Sequence, residues 1–304
     1  MSQPADSESP VAYLADLGIS TVDFGRDNHS LLPTGPFHVG RAWRWTSLTT
    51  GDSILVKERP DGSQNREHAM LAWRLATHPY WKSCAWLPAL AHPEKPWITG
   101  RGVIFQAWTW MRGDVPEPLT FKLSLGLDRL EQFSDLTRRI LGEREGAYPC
   151  VNSRRNALLK WLENAPTCAG SLENRCHKAL AECAGSAMAL LGSIRLSGKL
   201  RACHGDPWIG NWIQMNTDSG TPEYSIIDWS TVRWDHPASD RARLIGSAGE
   251  PETATPGDGW ESDRTLAWTG HVAALCNWMA KRKGGPWGPE ARNRVEWLLF
   301  RLGR

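Results

Sequence analysis

Near two thirds of the way along the chain stands Cys203-His204-Gly205-Asp206-Pro207-Trp208-Ile209-Gly210-Asn211, and after a polar turn the apolar run Tyr224-Ser225-Ile226-Ile227 ends in Asp228. Two carboxylates and an amide beside strand-like stretches are the parts needed to move a γ-phosphate onto a hydroxyl. One carboxylate positions the acceptor and takes its proton, while oxygen ligands hold the divalent cations that neutralise the β- and γ-oxygens. Asp206 is the candidate base. Asn211 cannot be a base, but its amide oxygen suits magnesium, a hard cation that prefers oxygen ligands. Asp228, at the end of a buried strand, offers a separate carboxylate for the metal. His204 is expected to brace the loop, and Cys203 to be a small buried residue closing a strand. An Asp after an apolar strand is, alone, as readily a turn residue or helix cap; the two halves together carry the argument. A two-metal phosphatase would also use Gly-Asp and Asn-His pairs, and Asp27-Asn28-His29 and Asp235-His236 occur here. That reading lacks an early D-x-H at a strand end and a second His run after the Asn.

The spacing H-x-D-x-x-x-x-N is that of the protein-kinase catalytic loop, but Gly205 stands where those enzymes have Arg, and Trp229-Ser230 where they have Phe-Gly. In these respects the chain resembles the aminoglycoside phosphotransferase and choline kinase family. The resemblance implies an α+β, bilobal protein-kinase-like fold. A small β-rich N-lobe over 1–107 would bind the nucleotide, with a hinge near 106–113, and a large, mainly helical C-lobe over 108–304 would carry the catalytic loop, metal site and acceptor site. It also implies ATP (or GTP) and Mg2+, and a lysine and a helix glutamate upstream.

Both upstream residues have candidates. Ser53-Ile54-Leu55-Val56-Lys57-Glu58 follows a Thr49-Thr50-Gly51-Asp52 turn after the alternating segment Arg41 to Thr46, a hairpin signal. Lys57 is placed for the α- and β-phosphates. Arg66 to Leu75 reads as a helix, and its Glu67 is the expected partner of Lys57. The phosphate-covering loop is sparse in glycine, offering only Gly35-Pro36-Phe37-His38-Val39-Gly40 before the second strand. The apolar strand Gly102 to Trp110 suggests a hinge whose main chain, at Gln106, Ala107 and Trp108, takes the base. Main-chain recognition leaves no residue signature, so ATP and GTP stay open.

Asp240, in Asp235-His236-Pro237-Ala238-Ser239-Asp240, resembles the family's helix-opening Asp and is read as architectural, capping that helix or holding the catalytic loop through backbone N–H groups. Helices are expected at Phe121 to Leu141, Arg154 to Asn164 and Leu172 to Leu191 before the loop, and at Arg264 to Lys283 and Pro289 to Leu302 after it. Strands are expected at Lys199 to Cys203 and Trp212 to Met215.

At 304 residues, with no Pro/Gly/Ser linker, one continuous catalytic unit is expected. The net charge of +2 comes from interspersed acids and bases, leaving no basic stripe for nucleic acid and no polybasic anchor. The start is polar, and no stretch stays apolar for the about 20 residues that a bilayer crossing needs, so a cytoplasmic protein without a membrane partner is expected. Seven Cys without C-x-x-C spacing argue for reduced thiols and against structural zinc. Of the 18 Trp, most recur in apolar patterns and read as core. Trp208, Trp212 and Trp229 flank the candidate site and could border an acceptor with a sugar ring, heterocycle or cation. The acidic segment Glu250 to Asp263 is either a solvated loop or an attractor for amines.

The site residues favour a small-molecule O-phosphotransferase, and the family resemblance implies an antibiotic hydroxyl, aminoglycoside-like or other, as its acceptor. Two alternatives stay open: a metabolic kinase of choline, a sugar or an amino alcohol, and a catalytically silent nucleotide-binding pseudokinase. Oligomeric state has no signal in the sequence.

Overall fold

The computed structural model describes residues 29–31, 41–100, 102–117, 120–164, 171–192, 197–215, 222–247, 265–270, 272–273 and 276. The expected helix Pro289 to Leu302, the acidic segment from Glu250 and the glycine-poor stretch 35–40 lie outside these residues, as does most of Arg264 to Lys283. Residues 265–270 of that last helix are helical. The architecture is α+β, and by contacts the chain divides into two compact units, Met1–Asp114 with Trp212–Arg233, and Val115–Asn211 with Trp234–Arg304. Among the described residues no helix is long and apolar enough to cross a membrane.

The first unit is built on an antiparallel sheet of β1 (His29–Leu31), β2 (Ala42–Thr46), β3 (Ser53–Pro60), β4 (Ile98–Gly100) and β5 (Val103–Thr109), in the order β1-β2-β3-β5-β4. The β2–β3 hairpin pairs Trp43 with Val56 and Trp45 with Ile54, and Gly51 takes the positive φ of 71° in its turn. Strand periodicity then sorts β3. Ile54 and Val56 enter a core with Trp43, Trp45, Phe105 and Ala107, while Leu55, Lys57 and Arg59 share the opposite face. Helices α1 (Ser63–Ala76) and α2 (Pro79–Lys82) follow β3. Apolar side chains of α1 at Ala69, Leu71, Ala72, Leu75 and Ala76 are buried, the stripe expected of a 3.6-residue period.

This unit also contains a late hairpin, β8 (Trp212–Met215) and β9 (Glu223–Ile226), in which Trp212 faces Ile226. An antiparallel bridge ties Gln214 to Asp114 through both main-chain bonds, 3.2 and 2.8 Å. Gly113, with φ of 135°, makes that approach possible, because a Cβ there would strike the Gln214 carbonyl. After β9, Trp229–Thr231 form one turn of 3-10 helix against α1.

In the second unit, α3 (Leu123–Leu141), α4 (Pro149–Asn164) and α5 (Ser171–Gly192) precede the catalytic-loop strand, and α6 (Ala238–Ser247) follows it. A small sheet runs β10-β7-β6, with β6 (Arg144–Ala147), β7 (Ser197–Cys203) and β10 (Arg233–Asp235). Leu158, Leu180, Ala184, Leu191, Ala238 and Leu266 are fully buried at its core. Among the described residues Cys84, Cys150, Cys183, Cys203 and Cys276 are in no disulfide, and Cys203 is buried.

Candidate active site

In the first unit a cleft of about 420 Å³ opens on the Leu55–Lys57 face of β3. Its walls are otherwise Pro88, the segment Trp108 to Met111, Ile213 from β8, and Ile227, Asp228 and Trp229. Apart from Lys57 and Asp228 the lining carries no charge, which suits a flat base better than a polar chain. Lys57 and Asp228 form an ion pair, their side chains 16% and 13% exposed.

The Asp228 backbone adopts φ 66°, ψ 66°, the only positive φ of a non-glycine residue among those described. A left-handed conformation costs an L-residue about 1–2 kcal/mol and is tolerated best by Asp and Asn, whose side chains bond locally. Here Oδ1 accepts from Ser230 N at 3.3 Å and from Ser230 Oγ at 2.5 Å. The Ser230 carbonyl in turn accepts from Arg59 Nη1 at 2.5 Å. Arg59 is 7% exposed, and burial lowers its pKa to about 10 while Asp228 acts to raise it. His68 of α1, buried beside the same turn, has its pKa lowered by desolvation and then by Arg59.

Two expected contacts of this region are replaced by others. Glu67 is exposed on α1, and Lys57 makes its ion pair with Asp228 instead. Gln106 and Ala107 do not line the cleft, because β5 is an interior strand whose main chain is taken up by its neighbours. Gln106 pairs with Lys57 across β3, the Ala107 N–H donates to His92 Nε2 at 2.8 Å, and the Ala107 carbonyl accepts from Ala91 at 3.0 Å. The Gln106 side chain is occupied as well, accepting from Arg59 Nη2 at 2.8 Å and donating to the Pro96 carbonyl at 2.8 Å. The sheet bonding ends at Trp110, whose N–H donates to Ser53; Met111 is the next residue on the cleft wall. Of the expected hinge residues, Trp108 lines the cleft.

In the second unit the loop from His204 to Asn211 is held from one face of α6. The two Asp240 oxygens accept from the His204 and Gly205 amides at 2.6 and 2.9 Å, so the carboxylate holds the loop through backbone N–H groups. Gly205 takes φ of 88°, which turns both amides toward one carboxylate. One turn along α6, Arg243 Nε donates to Asp206 Oδ1 at 2.8 Å, and a further turn along, Ser247 Oγ accepts from the Ile209 amide at 3.0 Å. Positions 240, 243 and 247 share a helix face. That spacing is readable in the sequence from Asp240 onward, but Arg243 and Ser247 lie outside the loop they support and so outside its motif.

Asn211 is 6% exposed, and its Nδ2 donates to the Asp206 carbonyl at 2.7 Å. The amide's donor is thereby committed, and its oxygen is the atom with the chemistry of a ligand. Asp206 keeps a side chain 33% exposed, and Trp208, two residues on, is 40% exposed with its ring over Gly210. His204 is fully buried and braces the loop, as expected. Trp212 is also fully buried, edge-on to Tyr224, and does not face an acceptor.

Taken separately, the Asn211 amide oxygen and the Asp228 carboxylate are hard oxygen donors of the kind magnesium prefers. Among the described residues no three His, Cys, Asp or Glu side chains gather as a metal cage, and magnesium at a nucleotide takes one or two protein ligands and completes its shell with phosphates and water.

No curated protein matches the sequence. Among solved structures, the chain is similar to a spectinomycin phosphotransferase in complex with ADP and spectinomycin, at 14% identity and TM-score 0.60 over 97% of this chain and 94% of that one. It is similar also to an aminoglycoside 2'-phosphotransferase in complex with GDP, at 13% identity and TM-score 0.60 over 96% of each chain. A choline kinase from Cryptosporidium parvum matches at 9% identity and TM-score 0.57, over 98% of this chain and 96% of that one. At such identities the likeness is one of fold, that of the protein-kinase-like phosphotransferases. The sequence model of the phosphotransferase enzyme family matches residues 43–274, a span that takes in the cleft residues and the loop alike, and the chain belongs to that family.

Proposed function

We propose that this phosphotransferase is a cytoplasmic kinase that moves the γ-phosphate of ATP, or GTP, to a hydroxyl of a small molecule, an antibiotic. The observation that carries the reading is the build of the catalytic loop. Asp206 is fixed through its carbonyl by Asn211 and through its carboxylate by Arg243, in a loop anchored to Asp240. A half-buried carboxylate so held can accept the proton of an acceptor hydroxyl as the hydroxyl oxygen bonds to the γ-phosphorus. The bond to the β-phosphate oxygen then breaks and the nucleoside diphosphate leaves. Lys57 binds the α- and β-phosphates, and release from Asp228 frees its ammonium for them. Asn211 and Asp228 would hold magnesium, which when bound supplies charge neutralisation at the phosphate oxygens. Leu55, Trp108 and Trp229 would enclose the base, with the main chain near Met111 facing its edge.

In this reading 1–107 form the nucleotide-binding lobe and 108–304 the catalytic lobe, so the late hairpin is functionally part of the second although it clusters by contact with residues of the first. Glu67, exposed here, remains the candidate to take over Lys57 once Asp228 is engaged by metal.

A second acceptor class has its own support. The exposed Trp208 ring beside Asp206 suits a quaternary or primary ammonium group, as in choline or an amino alcohol. The test is an ATP- and GTP-consumption screen with magnesium over aminoglycosides, spectinomycin, macrolides, choline, ethanolamine and sugars, run beside Asp206→Ala and Asp228→Asn. Acceptor-dependent turnover lost in both variants supports the kinase and names its substrate class. Nucleotide binding without turnover on any acceptor would point to the silent binding module instead.

A further inference from the structure

Arg59 is a buried guanidinium that the phosphoryl-transfer chemistry does not call for. A charge in such a place is costly to desolvate, and where only volume is needed an apolar side chain serves as well or better. What a guanidinium adds is direction, because its planar fork can hold two acceptors at a set angle. Nη2 is anchored on Gln106 Oε1 at 2.8 Å, and Gln106 is itself tied to the Pro96 and Ala69 carbonyls at 2.8 and 3.2 Å. Nη1 reaches the Ser230 carbonyl, and the His68 imidazole hydrogen-bonds to the backbone of the same residue from α1. Ser230 presents its N–H and hydroxyl to the Asp228 carboxylate. Trp229, between them, is 1% exposed and packs edge-on against Trp81, ring centroids 4.7 Å apart. The left-handed turn that carries Asp228 is thus held at its far end by Arg59.

We infer that Arg59 is a positioning residue that sets the Asp228 carboxylate for a divalent cation, acting through the Ser230 carbonyl. The inference rests on the reading of Asp228 as a metal ligand. Partners that orient a ligand from behind typically govern metal affinity by about 10–100-fold.

The test is manganese(II) binding to the full chain with a non-hydrolysable ATP analogue, followed by electron paramagnetic resonance. Metal-free ADP affinity is measured in parallel, and melting curves establish folding. Arg59→Met should weaken manganese binding about tenfold or more while metal-free ADP affinity changes by less than about threefold. Arg59→Lys, which keeps the charge and loses the fork, should fall between Arg59→Met and the parent chain. Manganese affinity equal to the parent in whichever of the two variants folds would overturn the positioning role. So would an equal loss of manganese and metal-free ADP binding, since that is damage to the cleft at large. Asp228→Asn separates the two levels: lost manganese binding there, with Arg59 variants unaffected, sinks only the role of Arg59, whereas retained binding sinks Asp228 as the ligand.

Discussion

Arg243 Nε lies 2.8 Å from Asp206 Oδ1, so the carboxylate of the candidate base is met by a cation from the same helix that anchors the loop's backbone. Such a bond fixes the carboxylate plane while leaving the second oxygen open. Arg243→Ala should lower kcat by about 10–100-fold with little change in the nucleotide KM, the pattern of a group that matters in the transition state. The Arg243 side chain is 48% exposed, so the melting temperature should barely move, an exposed pair contributing less than about 1 kcal/mol. Steady-state kinetics beside a thermal melt reads both; an unchanged kcat would refute the role.

Asp240 should behave in the opposite way. Its carboxylate satisfies two amides, one belonging to the fully buried His204, and Asp240→Ala would leave both without their acceptor. The expected cost is about 3 kcal/mol of stability together with loss of turnover. Denaturant unfolding would show it as a lower midpoint.

Stability should depend on pH through His92. The ring accepts from the Ala107 N–H at Nε2 and has Nδ1 facing the Lys95 carbonyl at 3.0 Å, an arrangement open only to the neutral imidazole. Burial lowers its pKa from 6.5 to about 4. The unfolded chain therefore binds a proton below pH 6.5 that the folded chain refuses. His92 contributes stability in full above pH 6.5 and loses it as pH falls from 6.5 to 4, by about 3 kcal/mol across that window. Urea midpoints at pH 7.5, 5.5 and 4.5 for the parent chain and His92→Gln measure this; parallel pH curves in the two would contradict it.

Trp208→Ala should raise the acceptor KM by about tenfold for an ammonium-bearing substrate and leave nucleotide KM alone, if the exposed ring is an acceptor wall. A loss confined to nucleotide binding would place the ring elsewhere in the reaction.

Legibility from the chain followed the range of the interactions. The H-x-D-x-x-x-x-N loop, the strand ending at Asp228 and the β2–β3 hairpin were readable because each is set by residues close in sequence. Asp240's grip on the loop was read as one of two options, and the structure supplies the backbone bonds of the second. At the expected hinge residues Gln106 and Ala107, periodicity marks β5 as buried, but nothing local says that β3 pairs with one side of it while Ala91 and His92 take up the Ala107 main chain. Glu67 was placed on the right helix, yet which face of α1 turns inward depends on how that helix packs. Arg59 went unremarked because a second cation two residues after Lys57 has no meaning until Gln106 and Ser230 are brought beside it.

The left-handed backbone at position 228 also dictates how that site must be mutated. Glycine would relax there, asparagine would sit nearly as comfortably, and alanine or any branched residue would be forced against its own carbonyl. A scan of this position will therefore rank variants by torsional comfort as much as by chemistry. Asparagine removes the negative charge, tolerates the chain path and keeps a side-chain oxygen that can accept from Ser230.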